Sequence, residues 1–195
     1  SHQLLAAGIV HPEPQSVLPR FPEALTRQDG ESKTDGERHA AKRLLPALRA
    51  NFPKRRLIVL EDRLAANAPH LRMLQQLQMN YLIVVKETDH TYLKNAVDRP
   101  WNSGQGNSIE LRDGETTRPF RYLNQVPLNQ SNPDLFVNYL EYHELKEAQT
   151  LYHCSWRTAI KLTPNNVFQV MRAGRARWKI ENETVNTVKT QEYQL

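Results

Sequence analysis

Two apolar spacings share the first ninety residues of this chain: short unbroken runs, and stretches in which apolar residues recur every three or four positions. Leu4–Val10 is a run of the first kind and predicts a strand. Ser16–Leu18 predicts a second short strand, halted by Pro19 and Pro22, that can pair with the first. The polar stretch Gln28–Gly36 holds Asp29-Gly30 and Asp35-Gly36 and predicts a loop. From Glu37 to Ala50, Ala40, Ala41, Leu44, Leu45 and Leu48 are spaced as one helix face. Asp35 is placed to cap that helix and Pro46 to bend it. Arg56–Leu60 is the best strand, continuous and rich in β-branching as in a strand buried on both faces, and it ends at Glu61 and Asp62. Pro69–Met79 returns to helical spacing through Leu71, Leu74 and Leu77, and Tyr81–Val85 is a second buried-type strand ending at Lys86. Two strands joined through a helix are expected to be parallel, with a right-handed crossover, which makes an α/β core.

Beyond His90 the pattern breaks up. Pro100, Gly104, Gly106, Pro119, Pro127 and Pro133 interrupt it, and short β-type runs appear at Phe120–Leu123, Leu135–Leu140 and Leu151–Ile160. This predicts a β-rich subdomain over residues 90–162. A long helix is predicted from Asn165, as its cap, to about Lys189, with Val167, Val170, Met171, Trp178, Val185 and Val188 on its apolar face and a bend near Gly174.

Bulk properties narrow the class. A chain of 195 residues, 39% apolar and 24% charged, can bury one sizeable core, or one core carrying an insertion. No run of 18 apolar residues suggests a membrane span, and Ser1-His2-Gln3 does not open a signal peptide. Cys154 is the single cysteine, which excludes an intramolecular disulfide and a cysteine metal site and fits a cytoplasmic location. A net charge of +5 is compatible with a nucleic-acid partner without requiring one.

Two local features carry candidate chemistry. Asp62 is expected at the carboxyl end of a buried strand, where open α/β sheets bind ligands and where a carboxylate can hold a metal; a turn or helix-cap aspartate would occupy the same place. In the predicted C-terminal helix, Arg177 and Glu181 are four residues apart and share a face; Trp178 and Val185 bring Glu181 to the edge of the apolar stripe. An ordinary surface ion pair has the same spacing. Trp101, Trp156 and Trp178 suit core packing better than base stacking.

Together the strings point to a family. Gly174–Lys189, GlyArgAlaArgTrpLysIleGluAsnGluThrValAsnThrValLys, resembles the glutamate helix of bacterial insertion-sequence DDE transposases, in which an Arg precedes the catalytic Glu by four residues and a Lys follows it. Glu37–Leu44, the strand ending in Asp62, Val85–His90 and the opening His2–Pro12 resemble that family in the same order. The resemblance implies a ribonuclease H-like mixed sheet core with a β-rich insertion before the C-terminal glutamate helix. Its parts would be 1–89 (first portion of the core, lacking its first strand), 90–162 (insertion) and 163–195 (C-terminal core helix).

The same resemblance implies phosphoryl transfer on DNA, at transposon ends and target DNA, with Mg²⁺ (or Mn²⁺) held by carboxylates. Asp62 would be the second aspartate and Glu181 the glutamate, with Glu183 as the alternative because Lys189 lies eight residues after one and six after the other. Arg175, Arg177, Lys179 and Lys189 would contact DNA phosphates; Lys86 and His90 would line the site. The first catalytic aspartate is expected ahead of the hairpin, before the first residue here, since Asp29 falls after it. A catalytically inactive, transposase-derived DNA-binding or inhibitory protein is the alternative function, and a homodimer stays open.

Overall fold

The computed structural model describes residues 3–13, 18–25, 33–62, 65–85, 91–147 and 149–179. It forms two compact units, one of residues 1–56 with 175–195, the other of residues 57–174.

In the first unit β1 (Gln3–Ile9) pairs antiparallel with β2 (Leu18–Leu25), with a register shift between Ala6 and Ala7. The second strand therefore begins where Ser16–Leu18 was expected to end, and it runs through Pro19 and Pro22. A two-stranded ladder leaves each strand an outer edge, where a missing N–H breaks no ladder bond. Helix α1 (Lys33–Asn51) starts earlier than its apolar spacing, so Asp35 lies in the first turn and does not cap it. Ala40, Ala41, Leu44 and Leu45 are buried as expected. Pro46 does not end the helix: it and Lys42 are on the exposed side, where water can take the carbonyl that a proline leaves unbonded. Arg49 closes the helix by donating to the carbonyls of Phe52 (3.0 Å) and Arg55 (2.9 Å).

The second unit is a mixed α/β layer. Its elements are β3 (Ile58–Glu61), α2 (Ala68–Gln76), β4 (Asn80–Val85), α3 (Thr91–Asn102), β5 (Asn107–Asp113), β6 (Thr116–Asn129), β7 (Asn132–Lys146), β8 (Gln149–Thr158) and α4 (Val167–Arg175). One six-stranded sheet runs β3-β4-β8-β7-β6-β5; β3 and β4 are parallel, as expected, and every other pair is antiparallel. The strands of the 90–162 stretch thus share a sheet with β3 and β4. Strand β3 is outermost and only half covered, with Ile58 exposed, so the expectation of a strand buried on both faces fails there. It holds for β4, where Tyr81, Leu82 and Ile83 are buried.

Helix α3 and strand β5 were not expected. Pro100 sits in the last turn of α3, where it does not stop the helix. Strands β6 and β7 extend well past their apolar runs because their polar residues alternate onto an exposed or polar face.

Each face of the sheet has its own cover. On one, Leu82, Phe120, Tyr122, Leu140, Tyr142 and Trp156 pack with Val167, Val170 and Met171 of α4. On the other, Leu123, Val126 and Tyr139 pack with Val97 of α3. Full burial of such side chains contributes about 1.5–3 kcal/mol each. Gly174 is what lets α4 approach: a Cβ there would lie 2.7 Å from the Trp156 indole. Asn166, not Asn165, organises the start of α4, accepting from Thr163 N (2.9 Å) and donating to Lys161 O (2.8 Å). A turn at Ala176 interrupts the helix before a further helical stretch at 177–179, and Trp178 is 48% exposed, off the apolar face predicted for it. The rest of the predicted helix, from residue 180, lies outside the described residues. Among the described residues no helix is long and apolar enough to cross a membrane.

Candidate functional site

Asp62 follows directly on β3, at the carboxyl end of that strand, and is exposed. Its neighbour Glu61 points to a different use. His70 of α2 is 8% exposed, and its Nε2 donates to Glu61 Oε2 at 2.7 Å. Asn67 caps α2 by accepting from the His70 amide, which fixes the histidine in the first turn facing β3. Glu61 therefore ties α2 to the sheet, and Asp62 is the carboxylate of the pair that faces solvent.

The predicted cationic residues are displayed in part. Arg175 is exposed, and the Arg177 guanidinium lies 6.0 Å from the Trp178 ring. Lys179 is held down: its Nζ donates to the carbonyls of His11 (2.8 Å) and Pro12 (2.9 Å), just past β1. Its ammonium therefore has a structural task within its own unit. Glu181, Glu183, Lys189, Lys86 and His90 lie outside the described residues, so Asp62 is the single predicted carboxylate with a described position.

A second group was not foreseen. Residues two apart on a strand share a face, so Glu141 and His143 of β7 project together, and His153 of β8 stands directly opposite His143 in the antiparallel ladder. The two imidazoles stack, centroids 4.1 Å apart at 17°. His143 Nε2 donates to Glu141 Oε1 at 2.8 Å. One potential ligand atom from each of Glu141, His143 and His153 lies within 4.8 Å of the others. From β6, Arg121 Nη2 donates to both Glu141 oxygens at 3.0 and 3.1 Å, while its guanidinium lies 4.1 Å from the centroid of the Trp101 ring.

Burial pushes the Glu141 carboxyl up, yet the hydrogen bonds from His143 and Arg121 outweigh it and leave the group below its usual value. Deeper on the same face, Tyr81 is pushed up to about 12 by burial, against the opposing pull of the buried Arg157. The signal for the Glu141 group in the sequence is faint: a Glu-x-His alternation in one strand and a lone His ten residues on, joined only once the hairpin register is known.

Compared with known proteins, the chain matches no family model and no curated sequence.

Proposed function

We propose that this chain is the catalytic portion of a DDE-type DNA transposase with a ribonuclease H-like core, performing metal-dependent phosphoryl transfer at Asp62. The observation that carries the reading is the position of Asp62, exposed at the carboxyl end of β3, in the order hairpin, helix, strand, helix, parallel strand. That order is the one such a core requires after its first strand. The outer edge of β3, unpaired among the described residues, can accept a further strand.

The donor chemistry fits a hard divalent ion as far as it is described. Asp62 is exposed and carries a hard carboxylate donor, while the Glu61 carboxylate is engaged by His70. Asp62 with Glu181 would hold Mg²⁺ or Mn²⁺, whose role when bound is to activate the attacking oxygen and stabilise the leaving one. Arg175 and Arg177 then serve to hold DNA phosphates, which positions the duplex without reading its sequence. Lys179 contributes by fixing the backbone after β1.

The test is nicking of supercoiled plasmid by the 195-residue chain in Mn²⁺, beside Asp62→Ala and Glu181→Ala. The expected result is weak nicking that both substitutions abolish: the expected first aspartate is not among these residues, and Mn²⁺ tolerates an incomplete ligand set. DNA binding that weakens steeply with salt but comes without nicking would instead support the inactive DNA-binding alternative. Nicking that survives Asp62→Ala would remove the assignment.

A further inference from the structure

We propose that Glu141, His143 and His153 form a binding site for a divalent transition metal of the Zn²⁺ type, separate from the chemistry assigned to Asp62. Two imidazoles and a carboxylate are a borderline donor set. They suit Zn²⁺ and its neighbours, whereas Mg²⁺ prefers oxygen throughout. The backbone supplies most of the geometry: two donors come from one strand at i and i+2, and the third sits across the ladder from His143.

Ligand atoms around a tetrahedral zinc, about 2.1 Å from the ion, lie about 3.4 Å from one another. The three atoms lie within 4.8 Å of one another, and His153 must turn out of its stack on His143 for both in-plane ring lone pairs to converge on the ion. His153 is exposed and can make that adjustment, while Glu141 and His143 are more enclosed. The exposed side also gives the ion an entry path and leaves a fourth position for water.

Arg121 does not forbid the ion. Metal-bound carboxylates commonly keep an outer hydrogen-bond partner, and Arg121 reaches both Glu141 oxygens while anchored against Trp101. An ion bound there would replace the His143–Glu141 hydrogen bond: His143 would give up its Nε2 proton to solvent or carry it on Nδ1, Glu141 would ligate through Oε1, and Arg121 would stay on Oε2. The result is a clasp across β7 and β8, a few residues from the turn that joins them, where Lys146 pairs with Gln149.

Equilibrium dialysis of the untagged chain against micromolar Zn²⁺, followed by metal analysis, tests this. With millimolar Mg²⁺ present to occupy the Asp62 carboxylate, one Zn²⁺ per chain is expected for wild type, and none held by His143→Ala or His153→Ala. The exposed His153 is the safer substitution for folding, and its melting temperature without metal is expected to match wild type. Zn²⁺ is expected to raise the wild-type melting temperature and leave that of His153→Ala unmoved. Substituted Co²⁺ is expected to give visible absorption bands that His153→Ala loses. Wild-type stoichiometry in His153→Ala, or no bound ion in wild type, overturns the proposal and leaves the stacked histidines as a hydrogen-bonded network alone.

Discussion

The two carboxylates that matter most in the larger unit have opposite settings. Asp62 is exposed at a strand end, and no other predicted acid has a described position. Glu141 is buried in mid-strand, gripped by Arg121, touched by His143 and flanked through it by His153. A strand end leaves a carboxylate open to hard ions and large substrates. A ladder position surrounds it with neighbours whose identity is set by register, and here those neighbours are imidazoles. The contrast separates a site recognised by motif from a site made by pairing.

The largest expected effect removes what the two settings share. Trp156 is 1% exposed and lies between the sheet and α4, so Trp156→Ala should cost about 3–5 kcal/mol in chemical denaturation. Metal binding at Glu141 should fall with it, because β8 carries both Trp156 and His153. Gly174→Ala attacks the same contact from the helix. Its Cβ would lie 2.7 Å from the indole, and a loss of about 1–3 kcal/mol is expected, read as a lower denaturation midpoint at unchanged slope.

Glu61→Gln sharpens the comparison at the strand end. Loss of the charged partner of His70 should cost about 1 kcal/mol while leaving Mn²⁺-dependent nicking intact, the reverse of Asp62→Ala. If Glu61→Gln also abolished nicking, the division of labour between adjacent acids would be wrong. The smallest effect is expected from Arg121→Lys. It surrenders the grip on both Glu141 oxygens and the planar contact with Trp101, and Zn²⁺ affinity should drop by about tenfold with little change in stability.

The sequence revealed the parts whose signal is local. Continuous apolar β4, the Leu71 and Leu74 face of α2 and the parallel pairing through it could be read directly. Asp62 followed, because its place depends only on where β3 stops. The extent of β2 was missed because Pro19 and Pro22 were read as stops, and the start of α1 was missed because Lys33–Gly36 carries no apolar spacing. The long strands β6 and β7 were underestimated because alternation hides half of each from a search for apolar runs. The Glu141 group was invisible for a stricter reason: His143 and His153 become neighbours only through hairpin register, and Arg121 only through the pairing of β6 with β7.

The most direct test of the central claim is the paired assay of Asp62→Ala and His153→Ala, each measured for plasmid nicking in Mn²⁺. Nicking abolished by Asp62→Ala and kept by His153→Ala is the predicted result: the strand end carries the phosphoryl chemistry. Nicking that persists in Asp62→Ala, or that disappears with His153→Ala instead, would contradict it and move the chemistry to the β7–β8 ladder or away from this chain.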